Sequence, residues 1–213
     1  MNLPNKLSLA RIILVPFMMF FYLATFIDPW GKFVAFAIFV IAAITDLFDG
    51  KIARKTGQVT DLGKLLDPIA DKLLYSIGFA LIVAYGVIPS PYGIIAFAIL
   101  LFRDFMIDGI RQIAGSKGVV IPAAKSGKLK AVLHDIHIPM FIVLAGTKQF
   151  SGEFWNVFNE VLLILSLIVL ALATIVTIYS AFDYFKRSKN LIFSDSENKE
   201  KINKEEKNKE DEK

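Results

Sequence analysis

Six apolar runs punctuate the first 185 residues, at about 9–26, 33–47, 65–87, 92–113, 133–146 and 161–184. Crossing a bilayer as a helix takes about 20 apolar residues. The second and fifth runs fall short of that. Each is predicted to continue as helix into polar sequence, the second through Arg54 and the fifth back to about Lys125. Those extensions carry Asp46, Asp49, Lys128 and Lys130. Polar turns continuous with apolar ones are tolerated at membrane depth where they line a water-filled cavity. Asp28-Pro29-Trp30-Gly31 and Pro89-Ser90-Pro91 are turn signals between runs. Trp30, Tyr92 and Trp155 flank apolar runs, where they serve either an interfacial aromatic belt or simple packing. The pattern predicts an all-α polytopic membrane protein whose six transmembrane helices surround a polar cavity.

Composition agrees. The chain is 55% hydrophobic with mean hydropathy +0.55, too apolar for an ordinary soluble domain. Cysteine is absent, which excludes a disulfide framework and any thiolate metal site and leaves oxygen or imidazole ligands. The start, MNLPNKLSLAR, lacks the basic–apolar–small pattern of a cleavable signal peptide, so the first run is expected to be a retained span.

Charge distribution divides the chain and orients it. Residues 186–213 hold 9 of the 24 Lys/Arg and 8 of the 20 Asp/Glu. This tail is expected to be disordered or a marginal solvated helix, distinct from the membrane domain of 1–185. Elsewhere Lys6, Arg11, Lys51, Arg54, Lys55, Lys64, Lys72, Arg111, Lys117, Lys125, Lys128 and Lys130 fall at one set of helix ends, and the opposite loops hold only Lys32 and Lys148. The positive-inside bias therefore predicts cytoplasmic termini and a cytoplasm-facing cavity in a multi-pass cell-membrane protein. No internal repeat is visible, which gives little support to an inverted-repeat transporter.

Acids are scarce outside the tail, and five of the twelve lie in one stretch, DLFDGKIARKTGQVTDLGKLLDPIAD, at Asp46, Asp49, Asp61, Asp67 and Asp71. Asp46 and Asp49 are three apart and Asp67 and Asp71 four apart, spacings that put each pair on one helical face. Four carboxylates next to apolar sequence need neutralising. A structural salt-bridge network would do so only in part, because Arg54 is the one arginine in the stretch. Hard oxygen ligands suit two Mg²⁺ or Mn²⁺ ions, and such a pair clamps a pyrophosphate. Gly50 allows close approach to a ligand, and Arg54, four residues on, offers a phosphate fork.

These positions resemble the signature of the CDP-alcohol phosphotransferase family: Asp46, Asp49, Gly50, Ala53, Arg54, Gly63, Asp67 and Asp71, with eight residues between Arg54 and Gly63. The resemblance implies that Asp46, Asp49, Asp67 and Asp71 bind two divalent ions. It implies that Asp46, Gly50, Ala53, Arg54 and Gly63 form the CDP site, and that Asp71 is the general base. The acceptor hydroxyl would attack the β-phosphate of CDP-diacylglycerol and release CMP. Family members are commonly homodimers.

The stretch from Arg103 to Lys130 bears on the acceptor. Arg103 lies within an apolar run and is expected to pair with Asp104, Asp108 or a ligand. Arg111, Lys125, Lys128 and Lys130 lie at the same predicted membrane face as the Asp motif, either because the acceptor carries phosphate or through the positive-inside bias alone. Asn2-Leu3-Pro4-Asn5 with Leu7 and Arg11, Arg103-Asp104-Phe105, Gly109-Ile110-Arg111 and Gly127-Lys128-Leu129-Lys130-Ala131 are similar to segments of the bacterial phosphatidylglycerophosphate synthases, one branch of that family. That implies sn-glycerol 3-phosphate as acceptor. Asp104, Ala131 and His134 stand where Glu, Thr and Gln are usual, which keeps phosphatidylglycerol (giving cardiolipin) and an inositol phosphate as alternatives. His134 and His137 can meet on one face as a packed polar pair or, for His134, as a ligand contact. The expected partners are the two substrates and the bilayer, with no nucleic acid. An intramembrane cation transporter would explain buried carboxylates but not the Gly-Ala-Arg pattern.

Overall fold

The computed structural model describes residues 2–56, 60–119 and 125–211, and the side chains of these except 4, 47–56, 61, 64, 125, 126 and 190–211. Among the described residues it is all-helical: six helices, α1 Leu3–Leu23, α2 Trp30–Thr56, α3 Asp61–Ala84, α4 Tyr92–Ser116, α5 Lys125–Thr147 and α6 Glu153–Asp211, follow in order, with one 3-10 turn at Thr25–Ile27.

Each predicted apolar run falls mainly on one helix and the two short runs extend into polar sequence as expected, but α1 ends at Leu23 and α3 at Ala84, before the ends of the first and third runs. Helix α2 continues to Thr56 and α5 begins at Lys125. Helix α1 starts six residues before its apolar run, because the Asn2 side chain accepts from Asn5 N at 3.2 Å and caps it. Thr60 caps α3 in the same way, its hydroxyl accepting from Gly63 N at 3.1 Å. Among the described residues three helical stretches, Asn5–Leu23, Gly127–Thr147 and Glu153–Lys189, are long and apolar enough to cross a membrane.

Helix α1 packs mainly on α2 and α3, α5 on α6 and α2, and α4 on α6. Met18, Tyr22, Phe39, Leu74, Ile82, Ile138 and Phe141 are buried at the centre. Large apolar side chains also cover the outside: Phe20, Phe102, Phe105, Ile164, Ile175 and Phe182 are more than half exposed. A soluble protein does not present so much contiguous apolar surface; this is a membrane protein.

Aromatic contacts tie one end of the bundle together. Phe33 of α2 stacks on Phe150 between α5 and α6, with centroids 6.1 Å apart, and Phe150 lies 4.7 Å from Trp155. Tyr22 of α1 meets Tyr85 after α3 edge-on at 5.7 Å. The α1–α2, α3–α4 and α5–α6 connections therefore gather at one end. Trp30 and Tyr92, the first residues of α2 and α4, are both exposed. Asp46, Asp67 and Asp71 lie toward the opposite ends of their helices.

Candidate active site

At that opposite end, α2 to α5 enclose a cavity of about 370 Å³ lined by Asp46, Asp67, Asp71, Lys72, Tyr75, Arg103, Asp104, Asp108, Arg111, Gly127, Lys130 and His134, among others. The carboxylate pairing read from the spacing is realised for α3, where Asp67 and Asp71 line the same cavity one turn apart. Asp46 reaches it from α2. The side chains of Asp49, Gly50, Ala53, Arg54 and Lys125 lie outside the described residues. Lys128 is exposed and is not among the described lining residues.

Arg11 of α1 is the partner that spacing alone did not predict. Its side chain is fully buried, with Nη1 2.7 Å from Asp46 Oδ1 and 3.9 Å from Asp67 Oδ1. Ser8, one turn earlier, donates to Asp67 Oδ1 at 3.1 Å. One guanidinium thus links the carboxylates of α2 and α3. The available signal was an arginine inside an apolar run, since ionisable groups at such positions need a partner.

Gly63 has a steric reason to be glycine. A Cβ there would come within 2.7 Å of Asn5 Oδ1 and 3.2 Å of Thr60 Oγ1. Asn5 and Thr60 exchange hydrogen bonds, Nδ2 to Oγ1 at 2.9 Å and Oγ1 to Oδ1 at 3.0 Å. The start of α1 is thereby pinned to the start of α3.

The opposite wall is basic but internally paired. Arg103 donates from Nη1 to Asp104 at 3.0 Å and from Nη2 to Ser180 Oγ of α6 at 2.7 Å, one of its expected partners plus one from a distant helix. Lys130 donates to the same Asp104 oxygen at 2.5 Å. Arg111 donates from Nε to Tyr184 Oη at 3.3 Å and lies over that ring. Lys72 pairs with Asp108 across α3 and α4. Tyr75 donates to Asp135 at 2.8 Å. His134 and His137 form the packed pair, with Nδ1 2.9 Å from Nε2.

Three carboxylates, no thiolates and a basic wall make a donor set of hard oxygen ligands beside anion-binding groups, which suits Mg²⁺ or Mn²⁺. Among the described residues no three Asp, Glu or His side chains converge tightly enough to hold an ion by themselves. The fourth carboxylate of the pattern, Asp49, is outside that set.

A family model for CDP-alcohol phosphatidyltransferase matches residues 1–179. The chain belongs to that family. It is 34% identical over 189 residues to the CDP-diacylglycerol–glycerol-3-phosphate 3-phosphatidyltransferase of Rickettsia bellii, covering 88% of this chain and 96% of the relative. The Bacillus subtilis protein of the same name is 40% identical over 141 residues, 61% of this chain and 70% of its own. That of Cereibacter sphaeroides is 32% identical over 153 residues, 71% and 67%. The chain is accordingly an enzyme, a phosphatidyltransferase of phospholipid biosynthesis. The matched residues take in every helix that lines the cavity.

Proposed function

We propose that this phosphatidyltransferase moves the phosphatidyl group of CDP-diacylglycerol to sn-glycerol 3-phosphate, giving phosphatidylglycerol phosphate and CMP. The observation that carries the reading is a single cavity with Asp46, Asp67 and Asp71 on one side and Arg103, Arg111 and Lys130 on the other. A donor substrate with a diphosphate needs the first wall. An acceptor with its own phosphate needs the second. The relatives from Rickettsia bellii and Bacillus subtilis are named for this donor and acceptor.

In this reading Asp46, Asp49, Asp67 and Asp71 hold two Mg²⁺ or Mn²⁺ ions, which when bound neutralise the diphosphate and make CMP a good leaving group. Asp46, Gly50, Ala53, Arg54 and Gly63 form the CDP site. Arg103, Arg111, Lys125, Lys128 and Lys130 draw in the acceptor phosphate, and His134 adds a contact to it. Asp71 takes the proton from the acceptor hydroxyl. That oxygen forms a bond to the β-phosphorus, and the bond from the β-phosphorus to the bridging oxygen breaks, so CMP leaves with the electron pair.

The six helices of residues 1–185 are read as six spans, with termini and cavity on the cytoplasmic side and residues 186–213 as a cytoplasmic tail. The concentration of Lys and Arg at the cavity end, against Lys32 and Lys148 at the aromatic end, supports this orientation. The functional unit is read as a homodimer, as is common in the family.

The test is CMP release by purified protein with CDP-diacylglycerol and Mg²⁺, offered glycerol 3-phosphate, phosphatidylglycerol or an inositol phosphate in parallel. Release with glycerol 3-phosphate alone supports the reading. Release only with another acceptor overturns the substrate and keeps the mechanism.

A further inference from the structure

Helix α4 puts two carboxylates into the cavity one turn apart, Asp104 and Asp108, and each holds cations. Asp104 accepts from Arg103 and Lys130, whose side chains are nearly buried. Asp108 pairs with Lys72 of α3, the residue that follows Asp71. Lys72 and Asp108 line the same cavity, yet their side chains keep 38% and 30% of their surface exposed. An ion pair this wet contributes little to stability, so an incoming ion can replace either partner at small cost. The Asp104 pairs are different, because taking a carboxylate from nearly buried cations leaves their charge uncompensated. Helix α4 packs mainly on α6, so its place in the bundle does not hang on the Lys72–Asp108 bond.

Charge selects the anion that makes the exchange. Among the described lining residues this wall carries four cations, Lys72, Arg103, Arg111 and Lys130, against the two carboxylates of α4. Two positive charges are left over. A phosphomonoester near neutral pH carries about −1.5 to −2, which matches that surplus. A phosphodiester carries a single negative charge, the same as the carboxylate it would have to displace. The attraction of a lysine for an anion grows with the charge of the anion. Lys72 therefore gains by leaving Asp108 for a phosphomonoester and gains nothing by leaving it for a phosphodiester. Asp108, released, is solvated through its exposed face.

We infer that Lys72 is a further acceptor-phosphate residue, and that Asp108 is its resting counter-ion, which the phosphate of a phosphomonoester acceptor replaces. This rests on the reading that the cavity takes a phosphate-bearing acceptor. Lys72 neighbours Asp71 in sequence and both side chains line the cavity, so a phosphate held by Lys72 keeps the acceptor near the carboxylate that takes its proton. Asp108 holds the lysine in the cavity until the acceptor arrives, at the cost of some affinity for every anion.

The test is the sign of two substitutions, measured on the full chain in lipid nanodiscs. Lys72→Met should raise the KM for glycerol 3-phosphate about tenfold, the size of one lost hydrogen bond between charged groups. Asp108→Asn, which frees the lysine, should lower it about 3–10-fold. The KM for CDP-diacylglycerol should not change in either variant, and Lys72→Arg should recover most of the loss. Inhibition by the phosphodiester sn-glycerol 3-(methyl phosphate) should be unchanged in Lys72→Met and stronger in Asp108→Asn. A strut between α3 and α4 would instead give both variants the same direction of change, with lower unfolding midpoints. KM shifts of like sign, no shift in either variant, or equal weakening of monoester and diester by Lys72→Met each overturn the inference while CMP release with glycerol 3-phosphate persists. Absence of CMP release with every acceptor overturns the functional reading. A titration of the unfolding midpoint with inorganic phosphate in EDTA then still judges the pair: the phosphate-dependent rise should weaken in Lys72→Met and strengthen in Asp108→Asn, and any other order overturns the inference.

Discussion

Arg11 on α1 holds Asp46 on α2 at 2.7 Å and reaches Asp67 on α3 at 3.9 Å, from a side chain with no exposed surface. Three helices meet through one guanidinium, and its planar fork suits two carboxylates better than a lysine would. Removing one partner of such a pair leaves the other uncompensated. Asp46 keeps a third of its side chain exposed, which softens the loss. Arg11→Met is expected to lower stability by about 1–3 kcal/mol, and Arg11→Lys by less. Thermal unfolding in a fixed detergent measures both, and an unchanged midpoint for Arg11→Met would show that the contact carries no net stability.

The metal reading separates the aspartates by role. Mg²⁺ should raise the unfolding midpoint of the wild-type protein, because an ion that binds only the folded state stabilises it. EDTA should abolish CMP release. Asp67→Asn should lose both the Mg²⁺-dependent shift and the activity. Asp71→Asn should cut turnover by about 10²–10⁴-fold, the usual worth of a positioned base, while the protein still binds CDP-diacylglycerol to within a few fold. Full retention of turnover in Asp71→Asn would remove it as the base. A Mg²⁺ shift that persists in Asp67→Asn would remove that residue as a ligand.

The contact between Asn5 and Gly63 predicts a steric coupling. A Cβ on Gly63 would stand 2.7 Å from Asn5 Oδ1, closer than a real contact allows, and Asn5 is itself buried. Gly63→Ala should cost about 1–3 kcal/mol through overpacking and the disturbed Thr60 cap. Asn5→Ala clears the space, so the double variant should lose less than the sum of the two single losses. Strict additivity in the three unfolding curves would mean that the clash is relieved elsewhere.

What was legible in the chain follows the range of the physics. Short apolar runs with polar continuations announced that α2 would continue through Arg54 and that α5 would begin near Lys125, because hydropathy and helical periodicity act over neighbouring turns. The same locality placed Asp67 and Asp71 on one face. It is also why the first apolar run, from about residue 9, understates α1: its first turn is set by the Asn2 cap and not by apolar residues. The pairings of Asn5 with Thr60, of Tyr75 with Asp135 and of Arg103 with Ser180 join residues 55, 60 and 77 positions apart. No local pattern encodes which helices come to touch. Arg11 was visible as a charge in an apolar run, but its bond to Asp46 required the packing of α1 on α2 and α3.

Ser180 carries the last prediction, since it sits on α6 outside the family signature yet bears on the acceptor wall. It is fully buried and receives Arg103 Nη2 at 2.7 Å. The same arginine reaches Asp104, which also accepts from Lys130, so the hydroxyl anchors one end of a chain of three charged groups. Ser180→Ala keeps the volume nearly intact and removes one bond to a charged donor, a loss of about 1–3 kcal/mol. The freed guanidinium should lose its fixed position in the cavity. The KM for glycerol 3-phosphate is expected to rise about 3–10-fold, the KM for CDP-diacylglycerol to stay unchanged, and Ser180→Thr, which keeps the hydroxyl, to fall between variant and wild type. Equal increases in both KM values would place Arg103 outside the acceptor wall and assign the Ser180 bond to bundle stability alone.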